Sequence, residues 1–248
     1  MNILVCISQV PDTTTKVAVA PDGTSINDAS VKFILNPYDE YAIETGLRLK
    51  EQHGGSVTTV TVGPDSAKEI LRTALAMGSD TAVHIKDDKR NDSFSVASSL
   101  VGCIRDVQPD IVVFGRQSID FDSFQLPSTV AELLEWPDVS TVSSLSIDGM
   151  RVLAESDIEG GRLQVESSLP CVISVQKGLY DPRYPKLPDI MKAKSKPIQE
   201  RVAAEVPPRT ATLAMELPHS QRLNKVFSDS DSDIAELVRL LHEEAKVI

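Results

Sequence analysis

The residues of this chain with types and spacing suited to chemistry gather in one stretch. An apolar run from Asp110 to Phe114 breaks at Gly115, and Arg116-Gln117-Ser118-Ile119-Asp120-Phe121-Asp122-Ser123-Phe124-Gln125-Leu126 follows. A helical pattern then extends from about Ser123 to Trp136. A buried strand that delivers a glycine and small or amide side chains to a helix start is how open α/β sheets make ligand crevices. The helix start offers unpaired N–H groups and a partial positive charge, which suits a phosphate. The same residue types also serve ordinary turns, so the neighbouring elements have to decide between the two.

Other chemistry is not signalled. There is no Gly-x-Gly-x-x-Gly, no Walker A loop and no Gly-x-Ser-x-Gly elbow. His53, His84, His219 and His242 have no ligand spacing and read as surface or core residues. Asp120 and Asp122 sit in a polar loop, where such acids are usually turn formers. Cys6, Cys103 and Cys171 are far apart and lie in apolar patterns, which suits small core residues in a reducing compartment. No residue set commits the chain to acid/base or nucleophilic catalysis.

The elements that must position the stretch are regular. Asn2 to Ile7 is a short apolar run of the kind buried on both faces. Asn36-Pro37 starts a helix, with Asp39 and Glu40 in its first turn and Ala42, Ile43, Leu47 and Leu49 on its buried side. Strands follow at Ser56–Val62 and Ala82–Ile85, with helices ending at Gly78 and spanning Ser93–Val107. Strands alternating with helices of this length imply right-handed crossovers and a mainly parallel sheet. In such a sheet the loops at Ser8–Asp12, Val62-Gly63-Pro64 and Gly115–Gln125 leave one edge, and Asn36 can face the same crevice. Their coincidence favours a mononucleotide site.

After Trp136-Pro137 the pattern changes. Strands at 139–147, 150–158 and 162–167, the last two joined by Glu159-Gly160-Gly161, suggest an antiparallel addition, and Cys171–Gln176 is one more apolar strand. A small hairpin is expected around Pro21-Asp22-Gly23. Residues 197–227 have no strong period. Asp233-Ile234-Ala235-Glu236 resembles a capping box, and Ile234, Leu237, Val238 and Leu241 make an amphipathic helix. Its apolar face suits folding back on the domain and docking on a partner equally well. The expected division is a nucleotide-binding domain at 1–182, a recognition loop at 183–196 and an arm at 197–248.

The totals narrow the class. The 248 residues allow a substantial core, and the net charge of −11 with 4% aromatics argues against nucleic-acid binding. No apolar run is long enough to span a bilayer, so an integral membrane protein is not expected. A strand starting at Asn2 leaves no room for a targeting segment, so an intracellular protein is expected. Against the acidic whole, Lys177 to Lys196 carries six basic residues and two acids. Leu187, Ile190 and Met191 form an apolar ridge within it, which suits a partner-docking loop.

These features come together in a resemblance. Asn36-Pro37 with early acids, Gly63-Pro64, Arg72 to Asp80, Gly115 to Asp120, Asp157 to Gly161, Pro182-Arg183-Tyr184 and Leu187-Pro188-Asp189-Ile190-Met191-Lys192-Ala193-Lys194 occur in the order seen in one family. The chain resembles the β (small) subunit of electron transfer flavoproteins. The resemblance implies a three-layer α/β/α fold of the adenine nucleotide α-hydrolase-like type and a heterodimer with an α subunit. It implies FAD held mostly by the α subunit, and AMP in this chain, or a second FAD in the electron-bifurcating type. Electrons would come from acyl-CoA and related dehydrogenases and pass to an acceptor such as a quinone oxidoreductase. The expected location is the cytoplasm, or the mitochondrial matrix of a eukaryote.

By position, the resemblance carries nucleotide contacts to Cys6, Asn36, Val62 and each residue from Gly115 to Leu126. It carries partner docking to Arg183, Tyr184, Leu187, Pro188, Ile190, Met191 and Lys192, with Leu187 as the anchor. The chain departs from the family at bulky Phe121 and Phe124, at Leu126-Pro127 in place of a polar Thr-Gly pair, at Thr13 and at Ser156. A stand-alone adenine-nucleotide module would need neither the basic loop nor the arm. An adenylating enzyme of similar fold would want a Ser-Gly-Gly-type loop where Ser8-Gln9-Val10-Pro11 stands.

Overall fold

The computed structural model describes residues 1–89, 92–218 and 224–248, so His219 lies outside the described residues. The first half comprises β1 (Asn2–Cys6), β2 (Gln9–Pro11), β3 (Phe33–Leu35), α1 (Pro37–His53), β4 (Ser56–Gly63), α2 (Lys68–Met77), β5 (Thr81–Lys86) and α3 (Ser93–Val107). The second comprises β6 (Ile111–Gly115), α4 (Leu126–Leu134), β7 (Asp138–Asp148), β8 (Arg151–Ile158), β9 (Gly161–Ser168), β10 (Cys171–Val175), α5 (Leu187–Ser195), β11 (Gln199–Val202) and α6 (Asp231–Glu243).

The main sheet has nine strands in the order β11-β5-β4-β1-β6-β10-β7-β8-β9. From β11 to β7 every pair is parallel; β7–β8 and β8–β9 are antiparallel. This is the expected mainly parallel α/β fold with a hairpin addition. Side-chain alternation along β1 separates two cores. Ile3 and Val5 pack beneath α1 and α2 with Ile43, Leu47 and Leu71. Leu4 and Cys6 pack beneath α3 and α4 with Leu100, Ile104 and Val130. Helices therefore cover both faces of the sheet. Cys6, Cys103 and Cys171 are buried free thiols, as a core role requires.

Several elements differ from expectation. The helix expected from about Ser123 starts at Leu126, because Asp122 and Phe124 have positive φ (54° and 58°) and cannot continue a right-handed turn. Ser8–Asp12 is not wholly loop, since β2 pairs with β3 in a small antiparallel sheet. The expected hairpin reduces to one bridge, Val19 to Ile26. In the stretch without a period, β11 joins the sheet edge beside β5, tied by Lys68 to Glu200 at 2.7 Å and by Arg201 to Asp106. The terminal helix starts earlier than its apparent box: Ser230 is the cap, and Asp233 reaches back to accept from the Ser228 N–H at 2.8 Å.

The first part of the arm packs on this domain, with the Ala204 N–H donating to Ser99 Oγ and the Met215 N–H to the Gly23 carbonyl. On α6, Ile234, Leu237 and Val238 are exposed.

Candidate functional site

The carboxyl ends of the parallel strands set the site. Cys6 aligns with Val60 and Phe114 across β4, β1 and β6, and Gly115 aligns with Val175 on β10. The chain leaves β6 at Gly115 because no other residue fits there. A Cβ would lie 2.6 Å from the Tyr38 carbonyl carbon and 2.8 Å from the Asp39 nitrogen. The glycine thus lets the first turn of α1 close onto the end of β6.

Asn36 and Asp39 knit that junction. Asn36 occupies the N-cap position of α1, yet its side chain does not cap the helix. Its Nδ2 donates to the Gln117 carbonyl at 2.8 Å, and the Ile119 N–H donates to its Oδ1 at 3.4 Å. Pro37 and Asn36 start the helix as the sequence suggests, but the amide is spent on holding the loop. Asp39 is buried and accepts from the Ser8 N–H at 2.7 Å, which joins the end of β1 to the same point. Burial pushes its pKa up to about 7, against hydrogen bonds from Ser8, Asn36 and Gly115, and the nearby Asp120 adds to the rise.

The loop itself is tied at both ends. The Arg116 N–H extends the ladder to Val175 at 2.8 Å, and its guanidinium lies 4.8 Å from the centre of the Phe124 ring. Arg116 Nη1 donates to Gln176 Oε1 at 3.2 Å, and Gln176 in turn donates to Asp157, linking the loop to the antiparallel addition. Gln117 Nε2 donates to Asp122, and the Asp122 N–H to the Ser118 carbonyl at 2.9 Å. The Phe121 N–H donates to Asp120 Oδ1 at 2.9 Å, so both acids work as turn formers. Ser123 and Gln125 are exposed, and Gln125 reaches back to Ser93 at 3.0 Å. Phe121 is 70% exposed.

Below the loop, Cys6, Val62 and Leu126 belong to the α3–α4 core. Val62 is held beside the Gly63-Pro64 turn, whose two carbonyls accept from buried His84 Nε2 at 2.9 and 3.1 Å. Pro127 lies in the first turn of α4 and brings no N–H, so the free donors of that turn come from its neighbours. Two buried side-chain atoms on the loop have no hydrogen-bond partner: Arg116 Nε and Gln117 Oε1. An unpaired donor and an unpaired acceptor on adjacent residues just past the end of β6 fit the polar edge of a base or the hydroxyls and oxygens of a ribose phosphate. Among the described residues, no group of three or more His, Cys, Asp and Glu residues is placed to hold a metal.

The basic segment lies elsewhere, against α1 and α2. Its second half is helix α5 rather than loop, with Pro188 in the first turn and Ala193 buried. Tyr184, Leu187, Ile190 and Met191 are exposed, at 90% for Tyr184 and 73% for Leu187. Pro188 and Lys192 are exposed beside them. Arg183 does not join this face. It turns inward to Glu44, with Nε 2.7 Å from Oε2.

Asp39 and Glu44 were not singled out by sequence reasoning as site residues. Asp39 passes as an ordinary first-turn acid. Glu44 did carry a signal: it falls between Ile43 and Leu47 on the face of α1 that packs inward.

The family described as the electron transfer flavoprotein domain matches residues 23–206. The β subunit of the electron transfer flavoprotein from Bacillus subtilis (strain 168) is 40% identical over 259 residues, covering 100% of both chains. This chain belongs to the electron transfer flavoprotein β-subunit family. The β subunit from Bradyrhizobium diazoefficiens is 36% identical over 251 residues, again covering 100% of both. The acryloyl-CoA reductase electron transfer subunit gamma of Anaerotignum propionicum is 39% identical over 204 residues, 80% of this chain and 76% of its own. Membership in an electron transfer flavoprotein family makes the chain part of an electron carrier that works with flavin. Among the described residues, no helix is long and apolar enough to cross a membrane.

Proposed function

We propose that this chain is the small subunit of a heterodimeric electron transfer flavoprotein and that it holds AMP at the carboxyl edge of its parallel strands. The observation that carries the nucleotide reading is the Gly115–Leu126 loop, laid over that edge with Arg116 Nε and Gln117 Oε1 buried and unpaired. Cys6, Val62 and Leu126 supply an apolar floor, and Asn36 and Asp39 hold the wall in place. The pairing groups on this wall are amide, guanidinium and backbone, and none is placed as a nucleophile. The nucleotide is therefore structural.

The redox group in this reading is FAD, held mostly by the α subunit, and it supplies the electron-accepting ring when bound. This chain's own residues do the docking. Tyr184, Leu187, Pro188, Ile190, Met191 and Lys192 present an apolar ridge with a basic rim to an acyl-CoA or related dehydrogenase. Electrons then pass to an acceptor such as a quinone oxidoreductase. The organisation is a nucleotide-binding domain at 1–182, a recognition segment at 183–196 and an arm at 197–248, working in the cytoplasm or, in a eukaryote, the mitochondrial matrix.

Denaturing release of nucleotide from the purified complex tests this. One FAD and one AMP per heterodimer is the expected result. Two FAD would replace the simple carrier with the electron-bifurcating type, for which exposed Phe121 is a wall residue open to a second ring. A monodisperse chain that never associates with an α subunit and releases only an adenine nucleotide would make it a stand-alone binding module.

A further inference from the structure

The segment assigned to docking presents a difficulty in isolation. A segment from Tyr184 to Met191 whose large apolar side chains are mostly exposed has little reason to keep one conformation in water, and fixing it costs backbone entropy. The structure holds it at both ends through buried or half-buried charged groups on two different helices.

At the start, Glu44 of α1 has a side chain with no exposed surface. Its Oε2 accepts from the Arg183 N–H at 3.2 Å and from Arg183 Nε at 2.7 Å; its Oε1 accepts from Arg183 Nη2 at 2.9 Å. Arg48 Nε adds a fourth donor at 2.7 Å, and Arg183 Nη1 also reaches Glu51 at 2.9 Å. Burial alone would raise the Glu44 pKa, but hydrogen bonds from Arg183 outweigh it and hold the carboxyl below its ordinary range. At the far end, Arg72 of α2 donates through Nη1 to the Ala193 carbonyl at 2.7 Å and to the Lys196 carbonyl. The Ala193 carbonyl, in the last turn of α5, also accepts from the Lys196 N–H at 3.3 Å, and the Lys196 carbonyl lies just past the helix end, so Arg72 ties down the point where the helix stops. Lys196 Nζ donates to the Ser79 carbonyl at 2.9 Å, and buried Ala193 seats the helix between them.

We infer that Glu44 and Arg72 are positioning residues for partner docking, clamping residues 183–196 in the conformation that the partner binds. Neither touches the partner. Each acts by raising the fraction of molecules whose ridge is already shaped for docking, since apparent affinity falls in proportion to that fraction. The ordering cost is then met on folding instead of on association. This inference rests on the docking reading above.

Steady-state electron transfer from an acyl-CoA dehydrogenase is the test, measured against carrier concentration with the assembled flavoprotein. It is paired with hydrogen exchange of the amides from Tyr184 to Lys192. Arg72→Gln is the main variant, because it removes two surface-side hydrogen bonds and leaves no buried charge. A drop in the competent fraction to about one in ten raises the KM for carrier about ten-fold with kcat retained. The same variant speeds amide exchange in the segment. Arg72→Lys recovers part of both, since an ammonium can also donate to two carbonyls but sits on a shorter and more flexible side chain. The paired change Glu44→Gln with Arg183→Gln opens the other clamp without stranding a charge and has the same two effects. Leu187→Ala is the comparator: it raises KM and leaves exchange unchanged.

If Leu187→Ala raises KM while both clamp variants leave KM and exchange unchanged, the positioning role is wrong and the docking reading stands. If Leu187→Ala leaves KM unchanged, the docking reading itself is overturned.

Discussion

Asp39 shows how one side chain can tie a site together and carry a titration. Its buried carboxyl meets the end of β1 through Ser8 and the end of β6 through Gly115, and burial pushes its pKa from the ordinary aspartate range up to about 7. A carboxyl whose pKa is higher in the folded state binds its proton more tightly there than in the unfolded chain. Its contribution is complete below about pH 4 and is lost as pH rises toward 7, and the shift corresponds to on the order of 4 kcal/mol. Asp39→Asn therefore flattens the pH dependence of unfolding free energy between pH 4 and 7. Denaturant titrations across that range check it, and an unchanged slope counts against the assignment. The amide also turns a donor toward one of the two N–H groups, which loosens the junction of β1 and β6 at every pH.

Among the elements, α5 and its approach carry the face proposed for docking. The apolar ridge is exposed at Leu187 and Met191, while the opposite side of the helix is fixed through Ala193. Leu187→Ala removes a central anchor without disturbing the core, which costs about 2 kcal/mol of docking if it is a hot spot. Electron transfer from a dehydrogenase weakens and flavin content stays the same; stopped-flow reduction and an absorbance spectrum read the two. Leu187, Ile190 and Met191 were legible in the sequence as a ridge because their spacing and their basic surroundings are local. That the second half of the segment is helix was not, because Pro185 and Pro188 read as loop punctuation, and Pro188 in fact sits where a first helical turn tolerates it.

At the scale of the molecule, the question is how the arm is held. Asp92 caps α3 by accepting from the Ser95 N–H at 2.9 Å, and its other oxygen accepts from the Arg209 and Thr210 N–H groups at 2.6 and 2.9 Å. Arg209 also lies over the Phe94 ring at 3.7 Å. Desolvation opposes ionisation, but these hydrogen bonds hold the Asp92 carboxyl down at about 2. A depressed carboxyl stabilises above its ordinary value and loses that contribution as pH falls from about 4 toward 2. Asp92→Asn mimics the loss at neutral pH, because its amide nitrogen faces the arm's donors. Faster hydrogen exchange at 209–215 with little change at the centre of the sheet is the expected outcome, and equal exchange in both proteins rules out the anchor.

The alternation of strands and helices, the parallel centre of the sheet and the Gly115 loop at its edge were legible in the amino-acid order alone. These follow from apolar period, caps and glycine, which act over a few residues. The same order also carried enough family-specific spacing, from Asn36-Pro37 to Leu187–Lys194, to indicate the electron transfer flavoprotein β subunit. That Asn36 holds the loop instead of capping its helix, that Asp39 joins two strand ends, and that Arg183 turns inward to Glu44 emerged from the folded chain. The reason is distance along the chain. Glu44 and Arg183 are 139 residues apart, and no local pattern says which buried charge a distant partner will neutralise. The insertion of β10 between β6 and β7 is of the same kind, a choice made by packing across the whole sheet.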